Sequence, residues 1–365
     1  MSEFIYTLPS HNRAASYKNI RVTPTTGAIG ADVEDLDLTR LSDEGFVELR
    51  QALLAHKVIF IRDQALSVSD LERVTQHLGE FGREPYVTCM DDHPHVVHVV
   101  KEADEKAPFV FGGAWHTDWT FQERPPAFTL LYGHDIPPYG GDTCYANLAL
   151  AYEWLSPGMQ ALLENLDAVH SPEMAYGVNA KHNALLENMA INYGSDTSND
   201  ERSHPLVTRH PETGKKVLFI NPAYTTGIKG LRSEESRPLL DYLFNLATSE
   251  AFTCRMRWHQ GTLAIWDNRS TWHMPVADYH GMRREMFRTT VVGGAPSRRA
   301  CMPPPMRACW VRPTVWRRQV ANADLARWSA KPLSWPAWTR PTKYRPPPCI
   351  RPWHKAVIFP GSRQA

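Results

Sequence analysis

No apolar run in this 365-residue chain approaches the ~18 residues that a membrane-spanning helix needs. The longest obvious one is Val58-Ile59-Phe60-Ile61. The N-terminal Met1-Ser2-Glu3-Phe4-Ile5 has no basic stretch leading into an apolar one, so no secretory leader is expected. The six cysteines, at 89, 144, 254, 301, 309 and 349, include no CxxC pair. That spacing speaks against a disulfide framework or a structural zinc site, and a reducing cytoplasm is the expected compartment. There is no excess of charge of either sign, with 40 basic residues against 39 acidic ones. With 42% hydrophobic and 22% charged residues, the composition excludes a disordered or collagen-like chain.

The balance of charge conceals an asymmetry. From Cys301 to Ala365 there are 12 Lys and Arg and one acid, Asp324. The same stretch holds 12 of the 29 prolines and 6 of the 12 tryptophans. Runs such as Pro303-Pro304-Pro305 and Pro346-Pro347-Pro348 bar helix and central strand alike. The chain therefore divides into a body over residues 1–296 and a Pro/Trp/Arg-rich tail over 297–365, read as a disordered or non-native extension. Interleaved Trp and Arg would suit single-stranded nucleic acid. No nucleic-acid motif accompanies them, and neither nucleic acid nor membrane is expected as a partner.

Within the body, helix and strand signals alternate without an internal repeat. Ser42 precedes Phe46, Leu49 and Leu53 at helical spacing, and Leu71, Val74 and Leu78 mark a second helix that stops at Gly79. Ser156-Pro157 starts another helix, and one more is expected from Pro238 to Leu246. Strands are expected at Val58 to Ile61, Ala127 to Tyr132, Phe252 to Trp258, Leu263 to Trp266 and Met286 to Val292. Strands clustered late, with helices early and between, argue for an α+β protein built around a β-sandwich or barrel. Residues 170–205 are polar and weakly periodic, the pattern of a mobile insertion over an active site.

One of the 16 histidines stands in Trp115-His116-Thr117-Asp118. On a strand, His116 and Asp118 would project from one face and supply two metal ligands together. A second patch, Gly261 to His273, runs as a strand into a polar turn ending at His273. Arg284 follows 11 residues later and Arg288 four after that, on one strand face. Two buried guanidinium groups call for anionic partners, either ligands or acidic side chains. Arg283 and Glu285 would point to the opposite, solvated side.

The order HxD, distant His, then Arg resembles the iron(II)/2-oxoglutarate-dependent dioxygenases, and within them the taurine and 2,4-dichlorophenoxyacetate dioxygenase family. Gly27-Ala28-Ile29-Gly30-Ala31-Asp32, Phe60-Ile61-Arg62-Asp63-Gln64, Gly140-Gly141-Asp142-Thr143 and Trp266-Asp267-Asn268-Arg269 extend the resemblance over residues 18–295. It implies a double-stranded β-helix (jelly-roll) core with flanking helices. It also implies Fe(II) held by His116, Asp118 and His273, with 2-oxoglutarate as cosubstrate, its far carboxylate on Thr143 and Arg284. The implied reaction consumes O2 and 2-oxoglutarate, releases succinate and CO2, and hydroxylates a substrate C–H. Asp118 occupies the position that a halogenase must vacate, which favours hydroxylation. Arg288 matches a position that contacts the substrate anion or the cosubstrate. The expected substrate is therefore a small anion of sulfonate, sulfate ester, aryloxy or carboxylate type, turned over by a homo-oligomer.

The substrate side departs from the taurine enzymes. Gly79 to Tyr86 lacks their histidine, and Gly112 stands in place of their Asn. Trp119, Phe121 and Tyr224 are candidates to line a more apolar pocket. A cupin-type dioxygenase without cosubstrate is the alternative enzyme, and Arg284 with Thr143 speaks against it. Because no chemistry-bearing motif lies beyond Arg288, deleting residues 301–365 is expected to leave 2-oxoglutarate turnover within about twofold of the full chain. Succinate release and a thermal melt of the truncated protein check this, and a large fall in Tm would contradict it.

Overall fold

Period-2 and period-3.6 patterns along the body become fifteen strands and six helices among the described residues. The computed structural model describes residues 12–299 except 179, 181–185, 187, 196, 198 and 199. The tail beyond them lies outside the described residues. The strands are β1 (Arg21–Pro24), β2 (Ala31–Glu34), β3 (Val58–Ile61), β4 (Val97–Lys101), β5 (Phe128–Asp135), β6 (Thr143–Asn147), β7 (Asp167–His170) and β8 (Arg202–Pro205). They continue with β9 (Val207–Arg209), β10 (Lys216–Leu218), β11 (Thr225–Ile228), β12 (Thr253–Met256), β13 (Leu263–Asp267), β14 (Thr271–Pro275) and β15 (Arg284–Val291). The helices are α1 (Asp43–His56), α2 (Val68–Leu78), α3 (Leu148–Trp154), α4 (Pro157–Leu163), α5 (Glu173–Tyr176) and α6 (Ser233–Ala247). No helix among them is long and apolar enough to cross a membrane.

Seven strands form one sheet in the order β1-β2-β3-β13-β5-β15-β4, antiparallel except where β2 runs beside β3. β12-β6-β14 form a second, antiparallel sheet, and the remaining strands pair as β11-β7-β8 and β10-β9. Successive side chains leave a strand on opposite faces. β3 accordingly sends Val58 and Phe60 into one core cluster and Ile59 and Ile61 into another, and β13 divides Ala264 and Trp266 from Leu263 and Ile265 in the same way. The first cluster joins the large sheet to Tyr145, Cys254, Met256 and Trp272 of the three-stranded sheet. The second is closed by Phe46, Leu49 and Leu53 of α1 and Leu71, Val74 and Leu78 of α2. Burial on both faces is why Val58 to Ile61 reads as an unbroken apolar run.

The caps fall where the sequence placed them. Ser42 Oγ accepts from the Gly45 N–H at 3.2 Å, α2 stops at Gly79, and Ser156-Pro157 opens α4. α6 begins earlier than the expected Pro238. Glu235 accepts the Arg232 N–H at 2.9 Å, and the helix carries Pro238 inside it, forgoing one backbone hydrogen bond. β12 is shorter than the expected strand, because Phe252 closes a 3-10 turn while Trp258 stays buried beyond the strand. The described residues of the stretch 170–205 are less polar in their packing than expected. β7 and β8 pair at its two ends, and Tyr176, Leu186 and Met189 pack with Tyr86, Trp119 and Tyr224. Its far part is stitched to the segment after α2 by Thr88 N–H to Ala190 O and Asn192 N–H to Tyr86 O, each at 2.9 Å.

Trp266-Asp267-Asn268-Arg269 closes β13 with a buried charge cluster. Asp267, 1% exposed, accepts from Arg269 Nε at 2.8 Å and Nη2 at 2.6 Å and from His210 Nε2 at 2.8 Å. Removing the carboxylate leaves the partly buried Arg269 guanidinium with Glu212 alone, at 2.7 Å, and leaves the buried His210 N–H without its acceptor. Asp267→Ala is therefore expected to cost about 3–5 kcal/mol of stability, measured by urea denaturation; a loss below about 1 kcal/mol would contradict this account.

Candidate metal centre and adjoining pocket

His116, Asp118 and His273 form a cluster that could hold a metal ion: all three are buried, and their ligand atoms lie within 4.8 Å of one another. The expected strand under His116 and Asp118 is absent. His116 makes an isolated antiparallel bridge to His273, with His116 N–H to His273 O at 3.0 Å and the reverse bond at 2.8 Å. The chain then turns, with Trp119 in the left-handed region at φ 48°. The two imidazoles are thus set side by side by a long-range backbone pair, and Asp118 is delivered by the turn.

His116 and Asp118 are oriented from behind, whereas His273 Nδ1 has no hydrogen-bond partner among the described residues. His116 Nδ1 donates to the Ala114 carbonyl at 2.7 Å, which leaves Nε2 facing the centre, 3.7 Å from Asp118 Oδ1. His273 Nε2 lies 4.0 Å from the same oxygen. Asp118 Oδ2 accepts the Thr129 hydroxyl at 2.6 Å. Thr129 Oγ1 accepts Asn268 Nδ2 at 2.7 Å, and Asn268 Oδ1 accepts Trp266 Nε1 at 3.1 Å. Such outer bonds fix the direction of a ligand's lone pairs. Burial lowers the pKa of His116 and takes that of His273 well below the ordinary histidine value, so both rings are neutral at pH 7. Burial alone would raise Asp118, but Arg288, the two imidazoles and Thr129 outweigh it and hold its pKa at about 2. Two neutral imidazoles and an ionised carboxylate suit Fe(II) and leave further coordination positions open.

Arg284 and Thr143 line the same cavity as the three ligands, with Leu131 and Met286. The Arg284 side chain is buried between the rings of Trp258 and Tyr279, at 5.7 and 5.5 Å. Its Nε and Nη2 have no hydrogen-bond partner. Thr143 Oγ1 accepts Trp258 Nε1 at 2.9 Å, which leaves its hydroxyl proton to give. Gly141, whose φ of +69° favours glycine, brings the backbone close: a Cβ there would sit 3.2 Å from Tyr279 and 3.4 Å from Arg284 Nε. Buried donors without acceptors are costly. A carboxylate of the cosubstrate fits them.

Arg288 shares the cavity but differs from the unpartnered group beside it. Its Nη1 lies 3.3 Å from Glu84 Oε2 and its Nη2 3.2 Å from Asp118 Oδ1, and its guanidinium sits over the Trp119 ring at 5.3 Å. On the opposite side of β15, Arg283 binds Glu102, Asp135 and Glu285 in a partly exposed cluster. An apolar chamber of about 430 Å³ adjoins the cavity, lined by Phe109, Met174, Tyr176, Leu186 and Tyr224, and shares Phe111, Gly112 and His116 with it. Of the three aromatic candidates, Tyr224 lines this chamber, while Trp119 and Phe121 pack behind it. Gly112, at φ +72°, would place a Cβ 3.0 Å from His116 Cε1, so a bare backbone borders both spaces.

Thr129, Asn268 and Glu84 escaped the reading of the sequence. Thr129 is the hydroxyl inside the apolar run Ala127 to Tyr132, and Asn268 lies within the quoted Trp266 to Arg269 motif. These two are polar residues at positions that should be buried, which is the signal that would have found them; Glu84 carries no such signal.

Three variants test the centre: His116→Ala, Asp118→Ala and His273→Ala are each expected to lower turnover at least about a thousandfold with the fold retained. Fe(II) retained after gel filtration should fall in parallel. Variants that keep full activity and full iron would contradict the assignment.

Residues 21–290 match the family described as "Taurine catabolism dioxygenase TauD, TfdA family". The α-ketoglutarate-dependent sulfate ester dioxygenase of Pseudomonas putida is 35% identical over 280 residues, 75% of this chain and 90% of that protein. The alkylsulfatase of Acinetobacter baylyi is 33% identical over 279 residues, 76% of this chain and 86% of that one. Among solved structures, a taurine dioxygenase from Burkholderia xenovorans aligns with a TM-score of 0.64 and 35% identity, covering 76% of this chain and 93% of that one. With its His116-Asp118-His273 centre and its orphaned Arg284 donors, the chain belongs to the taurine catabolism dioxygenase family.

Proposed function

We propose that this protein is an Fe(II)- and 2-oxoglutarate-dependent dioxygenase that hydroxylates a small organic anion carrying an apolar body. The observation that carries the reading is the pairing, in one cavity, of a His-Asp-His centre with the two unpartnered Arg284 nitrogens. A cosubstrate-free enzyme has no use for those donors. Relatives named for sulfate esters and for sulfonates support an anionic substrate, and the likeness to a taurine dioxygenase supports a jelly-roll built from the two sheets that share the first core cluster.

Bound Fe(II) supplies the activation of O2 that couples loss of CO2 from 2-oxoglutarate to hydroxylation of a substrate C–H. The chain's own residues position and shield. His116 Nε2, Asp118 Oδ1 and His273 Nε2 hold the metal, and Thr129 keeps the second Asp118 oxygen out of play. Arg284 receives the far carboxylate of 2-oxoglutarate, with the Thr143 hydroxyl donating beside it. Arg288 turns its terminal N–H groups to the substrate anion, and Gly112 lets the substrate body pass from the metal into the apolar chamber. Where the hydroxylated carbon carries a sulfate ester oxygen or a sulfonate, the product collapses to a carbonyl compound and the leaving anion.

Lysine reproduces the paired donors of a guanidinium poorly. Arg288→Lys is therefore expected to raise KM for the prime substrate about tenfold or more, with KM for 2-oxoglutarate within about twofold. Substrate-stimulated succinate release across anionic and neutral compounds checks both. A neutral compound as the best stimulant of the parent would contradict the reading.

A further inference from the structure

Two carboxylates face one guanidinium at the substrate end of the cavity. Glu84, between α2 and β4, is buried; its side chain is 5% exposed. Its Oε1 accepts the Thr290 hydroxyl at 2.8 Å and its Oε2 accepts Trp119 Nε1 at 2.9 Å. Both donors are neutral, and both are anchored beside the centre, Thr290 two residues beyond Arg288 on β15 and Trp119 next to Asp118. The carboxylate is therefore fixed, and its negative charge is set 3.3 Å from Arg288 Nη1. Although Glu84 and Asp118 are both within ion-pair distance, neither Arg288 Nη1 nor Nη2 makes a hydrogen bond. The charge of Arg288 is already met, while its N–H groups remain for a ligand.

We infer that Glu84 is a specificity-determining residue that restricts the prime substrate to a single negative charge, so that a sulfate monoester or sulfonate is taken and a phosphate monoester of the same shape is refused. The inference rests on the reading that Arg288 receives the substrate anion. The charges in the cavity support it. Arg284 and Arg288 are balanced by Asp118 and Glu84, and imidazoles that ligate a metal are neutral. Fe(II) and doubly ionised 2-oxoglutarate cancel each other, so the loaded cavity carries no net charge to attract a dianion. An oxyanion seated on Arg288 has Glu84 as a near neighbour, in a buried setting where water and salt screen little. One charge is offset by the Arg288 N–H groups. A second meets only repulsion. Sulfate and phosphate monoesters share tetrahedral geometry, but the phosphate has a second pKa near 6 and is almost wholly dianionic at pH 8.

The test is calorimetric titration of the full chain loaded with Fe(II) and 2-oxoglutarate under nitrogen, which prevents turnover, with hexyl sulfate and hexyl phosphate at pH 8. The parent is expected to bind the sulfate about thirtyfold or more tightly than the phosphate. Glu84→Gln, which keeps the shape and an acceptor for Trp119, should narrow the ratio to about threefold by a gain in phosphate affinity. Equal binding of the two esters by the parent overturns the inference without need of any variant, as does an unchanged ratio in Glu84→Gln. An Arg288→Ala variant is expected to lose both esters. If it binds both as the parent does, or if neither ester binds the parent, the Arg288 reading itself fails. If it loses both while Glu84→Gln leaves the ratio unchanged, the Glu84 inference fails alone.

Discussion

The carboxylate of Asp118 is the group on which the rest of this protein converges. One oxygen takes the Thr129 hydroxyl from β5, and the other faces two imidazoles and the Arg288 guanidinium from β15. Left alone, a carboxylate this deeply buried would be protonated. The surrounding positive and donor groups keep it ionised, which is the state a divalent metal requires. The large sheet exists, in functional terms, to bring β5, β13 and β15 side by side so that Thr129 and Arg288 reach one oxygen pair and Asn268, in the turn after β13, holds Thr129. The His116–His273 bridge then ties the segment that carries Asp118 to β14 of the smaller sheet.

Much of this was legible in the residues, and for local reasons. Ser42 and Ser156 mark helix starts because a side-chain oxygen meets free backbone N–H groups one turn on. Arg284 and Arg288 share a face because strand periodicity is strict, and both line the cavity. What stayed hidden depends on contacts between distant segments. His116 and Asp118 are two positions apart in sequence but are not held by a strand; a bridge to a residue 157 positions away and a turn hold them. Nothing near Glu84 announces that its carboxylate meets residues 119, 288 and 290. The stretch after His170 reads as polar, yet Tyr176, Leu186 and Ile191, spaced too irregularly for any helix or strand, form one wall of the apolar chamber.

The two arginines on one strand face illustrate how surroundings divide the labour of identical side chains. Arg284 lies between aromatic rings with two unspent nitrogens, an environment that asks for a full negative charge. Arg288 lies between two fixed carboxylates, an environment that supplies charge and leaves direction. The first suits a cosubstrate end held throughout the reaction, the second a substrate admitted and released.

The most direct test of the central claim is an anaerobic titration of the full chain with Fe(II) and 2-oxoglutarate, followed by visible absorption. If His116, Asp118 and His273 hold the metal while the cosubstrate chelates it, a charge-transfer band should appear that requires both additions and saturates stoichiometrically with Fe(II). Absence of the band when both are present, or a band that forms equally in Asp118→Ala, would contradict the account.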